Sequence, residues 1–227
     1  MRGAVYLLDL DGTLTDPFPG ISRCITHALD KLNLAAPDSA ELRKWIGPPL
    51  LNSFQTYLDS QGGGDAGDAL RFYRERFARI GLFENSVYEG IPELLDRLCL
   101  HSDRLILATA KPAVYARRIV RHFGLDRWLQ AVYGSELDGR RTDKIHLLGH
   151  IMHQQGLHPA ECIMIGDREH DMLAARFHGA CAVGVLWGYG TPLELLESGA
   201  ETLVASPSEL ADLLVHEREA GIQLPSN

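Results

Sequence analysis

The chain of 227 residues has no uninterrupted apolar run approaching the roughly 18–20 residues that a membrane-spanning helix needs. Its first apolar stretch, residues 4–8, is broken at once by Asp9 and Asp11. It therefore does not read as a signal peptide, and a cytoplasmic location with no membrane partner is expected. Cysteine is scarce. Cys24, Cys99, Cys162 and Cys181 stand far apart with no C-x-x-C pair, and three of them lie in apolar stretches, as free thiols of a reducing compartment do. Positive charge is short as well: 22 Lys and Arg against 30 Asp and Glu give a net charge of -8, which argues against binding a nucleic acid polymer or an anionic membrane. An acidic chain still binds an anionic ligand where a metal or a few local cations line the site. There is no internal repeat. A hydrophobic fraction of 45% and a charged fraction of 23% are those of an ordinary globular protein.

Strand signals are also missing from one long interval, between Asp16 and about Asn85. Elsewhere, apolar runs of strand length at 4–10, 104–109, 130–133, 162–165, 180–186 and 202–205 alternate with helical patterns at 91–100, 114–123, 144–155, 169–178, 192–198 and 207–216. Near-continuous apolar strands alternating with helices predict a doubly wound, Rossmann-like parallel α/β sheet covered on both faces. In the interval, Ile21, Cys24, Ile25, Ala28, Leu29 and Leu32 keep helical spacing. Leu50, Leu51, Phe54, Tyr57 and Leu58 make a second stripe, and Leu70, Tyr73, Phe77 and Ile80 a third; residues 39–46 form a short helix. The expected division is a core of residues 1–15 and 86–227 with an all-helical insertion at 16–85. Its connections, 16–20 and 83–90, are candidate hinges, and residues 220–227 read as a frayed tail. An insertion after the first strand of such a sheet is expected to act as a lid over the ligand edge.

The chemistry gathers at that edge. Asp9 and Asp11 close the first strand two residues apart, so their carboxylates point to the same side. Such a pair repels unless a cation binds or one member is protonated, and a hard divalent ion such as magnesium suits oxygen donors. Asp167 follows the 162–165 run, with Asp171 one helical turn on. Helix capping explains Asp167 and Asp171 individually, and a turn explains Asp11-Gly12. Thr109 offers a hydroxyl where residues 110–112 lead into a helix, a place that suits phosphate. Lys144 opens a helix against the macrodipole, a small cost that a role in the site would explain. Four carboxylates, a hydroxyl and a lysine after different strands of one sheet are not independent capping accidents.

D-L-D-G-T at Asp9–Thr13, Thr109, Lys144 and G-D-x-x-x-D at 166–171 resemble, in order, the four motifs of the haloacid dehalogenase superfamily of phosphohydrolases. The helical insertion resembles its C1 cap. The likeness runs from Val5 to about Ala205, and A-T-A-K-P, G-S-E-L-D-G-R-R-T-D-K and G-V-L-W-G-Y-G resemble the phosphoglycolate phosphatase and 5′-nucleotidase-like branch. Lys144 is followed by Ile145 where many phosphoglycolate phosphatases carry proline, which favours the 5′-nucleotidase-like subgroup. The resemblance implies a phosphatase with Asp9 as nucleophile and Asp11 as general acid and base. Magnesium would be bound by Asp9, the backbone carbonyl of Asp11, Asp167 and Asp171. Thr109, Ala110, Lys111 and Lys144 would bind the substrate, with amides near Leu10 and Ala110 on the phosphate. The partner would be a small-molecule phosphate ester, either a nucleoside 5′-monophosphate or phosphoglycolate, and the protein a monomer or homodimer. A phosphomutase would keep every motif. A signalling receiver would lack the insertion, and a haloacid dehalogenase would not need Asp11.

Other residues have plainer readings. His146, His150 and His153 recur at i, i+4, i+7 without a carboxylate and read as surface or packing groups; His170 reads as either a site-mouth or a solvated side chain. Residues 187–190 follow a strand and read as aromatic packing over the core or as a flank of the site, and the 45–49 turn as a selector of the leaving group or a plain helix–helix turn. Phe18, Trp45 and Phe54 are candidates for an aromatic face that meets a nucleoside, Lys111 or Arg43 for a cation that meets a carboxylate.

Overall fold

The computed structural model describes residues 4–100 and 104–219, so the expected tail at 220–227 lies outside the described residues. The chain opens on β1 (Val5–Leu8), then β2 (Thr15–Asp16) leads into α1 (Phe18–Lys31), α2 (Ser39–Lys44), α3 (Leu50–Ser60) and α4 (Ala66–Phe77). A 3-10 turn at Gly81–Phe83 and β3 (Ser86–Val87) lead back. Then α5 (Ile91–Leu100), β4 (Arg104–Pro112), α6 (Ala113–His122), β5 (Ala131–Ser135), α7 (Lys144–Gln155), β6 (Cys162–Gly166), α8 (Glu169–His178), β7 (Cys181–Val185), α9 (Pro192–Ser198), β8 (Thr202–Val204) and α10 (Pro207–Glu219) alternate. Two compact units result, Met1–Thr15 with Val87–Asn227, and Asp16–Ser86.

The larger unit is an α/β structure on a six-stranded sheet in the order β5-β4-β1-β6-β7-β8. Every neighbouring pair is parallel. β1 reads Val-Tyr-Leu-Leu without alternation because both of its faces are covered. Val5 and Leu7 join Leu147, Ile151, Met164 and Met172 in one buried cluster, while Tyr6 and Leu8, on the opposite face, are equally buried. The chain moves from β1 outward through β4 to β5, then returns to the other flank of β1 for β6. That reversal is the switch point beside which sheets of this kind bind ligands at the carboxyl ends of their strands.

The smaller unit is helical, as its spacing predicts. Cys24, Ile25, Ala28 and Leu29 of α1, Phe54 and Leu58 of α3, and Ala69, Tyr73 and Phe77 of α4 are buried. Trp45 meets Phe54 edge-on at 5.3 Å, Phe54 meets Tyr73 at 6.3 Å, and Tyr73 stacks on Phe77 at 5.2 Å. Trp45 and Phe54 are therefore packing residues of the unit's interior rather than an open aromatic face for a leaving group. Phe18 lies under the Arg43 guanidinium at 4.3 Å, so these two candidates engage each other. Asp38 caps α2 and Asp65 caps α4 by accepting backbone N–H bonds.

Several boundaries differ from expectation. The first connection is shorter, because Pro19 sits in the opening turn of α1, where a missing N–H costs nothing. Ile80 falls beyond α4 and is exposed. The interval also has strand at its two ends, β2 and β3, which pair with each other; two residues each give no periodic signal to read. No helix among the described residues is long and apolar enough to cross a membrane.

Candidate active site

The carboxyl edge of the sheet carries a nest of buried charge. Asp9 follows β1, Asp167 follows β6 and Asp171 sits in the first turn of α8; Lys144 is the first residue of α7. All four are buried. Lys144 Nζ lies 2.9 Å from Asp9 Oδ1 and 2.6 Å from Asp171 Oδ1. Asp143 caps α7 by accepting from Ile145 N and His146 N, which offsets the poor placement of a lysine at a helix start. Burial opposes the charge on Lys144, but Asp171 and Asp9 outweigh it and hold its ammonium above the ordinary lysine range. Burial pushes Asp171 up, against the pull of Lys144, and Asp9 adds to the rise. Asp167 stands well above the usual carboxylate range, from burial first and then from the charges of Asp9 and Asp171.

Asp171 caps α8, its Oδ2 accepting the Arg168 N–H at 3.3 Å, and it also lies in the buried charge cluster.

Asp11 stands apart from the other acids. Its Oδ2 is 2.6 Å from Lys111 Nζ, while its Oδ1 is buried with no hydrogen-bond partner. Burial raises its carboxyl above the ordinary range and Lys111 draws it part of the way back. Thr109 is buried on β4, and its Oγ1 accepts the Lys111 N–H at 3.2 Å. β4 runs on to Pro112, with a register break between Thr109 and Pro112, so Thr109 and Ala110 do not open the helix directly as their position suggests. The Ala110 carbonyl instead accepts from Ser135 Oγ at 2.7 Å.

Among the described residues, the group of three or more side chains able to share a metal is Asp9, Asp167 and Asp171, whose ligand oxygens lie within 4.8 Å of one another. Three carboxylates against one ammonium, Lys144, leave an excess of two negative charges when all are ionised. Asp9 Oδ1 and Asp171 Oδ1 are buried, with the Lys144 ammonium as their shared ion-pair partner. A hard divalent cation such as magnesium fits both the charge and the oxygen donors. The histidines do not compete. His146 and His153 are exposed, and His150 meets Tyr133 edge-on at 5.9 Å.

Several contributors stood in the sequence only as letters of a motif, with no role of their own. Thr13 Oγ1 donates to Asp167 Oδ1 at 3.4 Å and Tyr189 N donates to Asp167 Oδ2 at 2.8 Å. Gly12 has φ +87°, and a Cβ there would stand 2.1 Å from Asp167 Oδ2, so glycine is needed for both backbone and space. Lys111 was a candidate cation in the sequence; only the fold reveals Asp11 as its partner.

This cluster makes stability depend on pH in an unusual direction. Asp11, Asp167 and Asp171 hold protons more tightly folded than unfolded. Above the unfolded value of about 4, the native state therefore binds more protons, and its stability falls as pH rises through the elevated folded values. Protons and cation compete for the same oxygens. Thermal melting should show magnesium raising Tm more at about pH 8 than at about pH 5; an equal gain at both would mean that these carboxylates do not receive the cation.

Residues 6–185 match the family model described as haloacid dehalogenase-like hydrolase. A 5′-nucleotidase of Pseudomonas aeruginosa is 50% identical over 86% of this chain and 88% of its own. Tyrosine-protein kinase PtkA of Mycobacterium tuberculosis is 35% identical over 92% of this chain and 70% of its own. The crystal structure of a predicted phosphatase from Clostridium acetobutylicum superposes with a TM-score of 0.87 at 36% identity, covering 95% of this chain and all of that one.

Proposed function

This chain belongs to the haloacid dehalogenase-like hydrolase family, and we propose that it is a magnesium-dependent phosphomonoesterase acting through an aspartyl phosphate on Asp9. The observation that carries this reading is the division of labour between two acids two residues apart. Asp9 faces Lys144 and the cation group, while Asp11 faces Lys111 and is biased by burial toward keeping its proton.

In this reading the Asp9 carboxylate attacks phosphorus in line with the ester oxygen, and the bond to that oxygen breaks. Asp11 gives the departing oxygen its proton, then takes one from the water that hydrolyses the aspartyl phosphate. Lys144 and the Thr109 hydroxyl meet the phosphoryl oxygens, and Lys111 fixes the orientation of Asp11. Magnesium held by Asp9, Asp167, Asp171 and the Asp11 carbonyl would screen the carboxylates from the incoming phosphate charge.

The test is phosphate release from a panel of phosphate monoesters, with and without magnesium; no release from any ester at any magnesium concentration would sink the reading. Asp11→Asn should slow phosphorylation of the enzyme by alkyl phosphates at least about tenfold more than by nitrophenyl phosphate, whose leaving group needs little protonation. Equal impairment in single-turnover measurements would reduce Asp11 to a structural role.

The substrate we favour is a nucleoside 5′-monophosphate. The lack of proline after Lys144 and the 50% identity to a protein named 5′-nucleotidase support it. In a direct comparison of kcat/KM, the nucleotide should exceed phosphoglycolate by at least about tenfold, about 1.4 kcal/mol of transition-state preference. The reverse ratio would overturn the substrate and leave the phosphatase standing.

A further inference from the structure

The segment between β7 and α9, residues 186–191, crosses the carboxyl edge at close quarters with Asp167. Trp187 Nε1 donates to the Thr13 carbonyl at 3.0 Å, which ties the segment to the loop that carries Asp9 and Asp11. Two residues later Tyr189 N donates to Asp167 Oδ2 at 2.8 Å. Between them, Gly188 passes so near that a Cβ would lie 2.3 Å from Asp167 Cβ and 2.5 Å from the Gly12 carbonyl. At Gly190 a Cβ would lie 2.0 Å from the Asp167 carbonyl. The far end is fastened too. Glu194, on α9, accepts from Arg168 Nε at 2.8 Å and from Glu169 N at 3.0 Å, so the segment is anchored to the residues that follow Asp167.

These contacts converge on Asp167 and its neighbours. The indole N–H finds its partner on a loop 174 residues away in sequence, and at 188 and 190 any side chain would collide with Asp167. What the arrangement does is fix one carboxylate. Asp167 Oδ2 is held by an amide whose position depends on the Trp187 bond, leaving Oδ1 with only a long 3.4 Å contact from Thr13. A carboxylate so fixed is held within the group it forms with Asp9 and Asp171, whose ligand oxygens lie within 4.8 Å of one another. Outer groups that orient a ligand in this way commonly set metal affinity, at 10–100-fold, roughly, per contact removed.

We propose that residues 187–190 are a positioning strap for the cation site, with the Trp187 indole N–H as the bond that sets its register and Gly188 as the close approach that lets it act on Asp167. The inference rests on the proposed metal role of Asp167 and adds a determinant of metal affinity outside the four motifs.

Trp187→Phe tests it, because the ring is kept and only the N–H is lost. Magnesium binding measured by isothermal titration calorimetry should weaken about tenfold, and the magnesium concentration that half-saturates phosphate release should rise in parallel. The melting temperature of the metal-free protein is read alongside. A lower Tm with wild-type magnesium affinity would make Trp187 a packing residue and overturn the proposal. Gly188→Ala should weaken magnesium at least as much; if it folds and binds magnesium normally, the close approach has no role and the strap is refuted. Should Gly188→Ala fail to fold, the Trp187→Phe affinity decides. Calorimetry reads the cation without turnover, so a protein that binds magnesium yet hydrolyses no ester would sink the proposed function and leave the strap intact. A wild-type protein that binds no magnesium would overturn both.

Discussion

Asp9→Asn is expected to lower kcat by at least about three orders of magnitude, roughly 4 kcal/mol of barrier, in a protein that remains folded. The amide cannot attack phosphorus, and no other carboxylate can take its place. Asp11 is held by Lys111, Asp171 by Lys144 and the Arg168 amide, and Asp167 by the Tyr189 amide. The fold should tolerate the change. Asp9 is a source of the repulsion that raises both Asp167 and Asp171, so its neutral isostere relieves strain among buried charges. Lys144 keeps Asp171 as a partner at 2.6 Å. The metal-free Tm of the variant should accordingly equal or exceed that of the wild type. Near-normal turnover in a folded Asp9→Asn protein would end the aspartyl-phosphate mechanism. A collapse in Tm would instead mean that the Asp9–Lys144 pair contributes more than the repulsion it sits in.

The sheet was legible because its strands are buried on both faces. Runs such as Leu105–Ala108 and Cys162–Ile165 are apolar throughout, and each helix that follows begins with a capping acid or proline, as at Asp143 and Pro192. Helix limits at Lys144–Gln155 and Glu169–His178 coincide with expectation because Gly156 and Gly179 take left-handed conformations and stop both helices. The two-residue strands β2 and β3 were invisible, since pairing between segments seventy residues apart leaves no local period.

The residues of the buried charge cluster could be named from sequence, but their partnerships could not. Nothing in the spacing tells that Lys111 belongs to Asp11, or that Trp45 and Phe54 face each other inside the helical unit. Hydrogen bonds to backbone are harder still to foresee. The Tyr189 amide and Thr13 carbonyl carry no residue-type signature, which is why the sequence leaves residues 187–190 open between aromatic packing and a flank of the site until distances are known.

Lys144→Met is expected to reduce kcat/KM at least about a hundredfold and to destabilise the metal-free protein by about 3–5 kcal/mol near neutral pH. The two losses have separate causes. The catalytic one, on the proposed mechanism, is the removal of a cation that meets the phosphoryl oxygens as charge develops on them. The structural one is that Asp9 and Asp171 lose their ammonium, and a buried carboxylate without a counter-charge costs more than the pair contributed when whole. The destabilisation should shrink as pH falls. Without Lys144 the lowering influence on Asp171 disappears, its folded value climbs further above the unfolded one, and protonation then removes the uncompensated charge. Urea unfolding at about pH 5 and at about pH 7.5 would measure this, with the larger deficit at the higher pH. The double variant Lys144→Met with Asp171→Asn should recover much of the stability, because the neutral amide no longer needs the ammonium, while activity stays low. If the double variant were no more stable than Lys144→Met alone, the lysine would be holding the fold through its aliphatic stem and not through its charge.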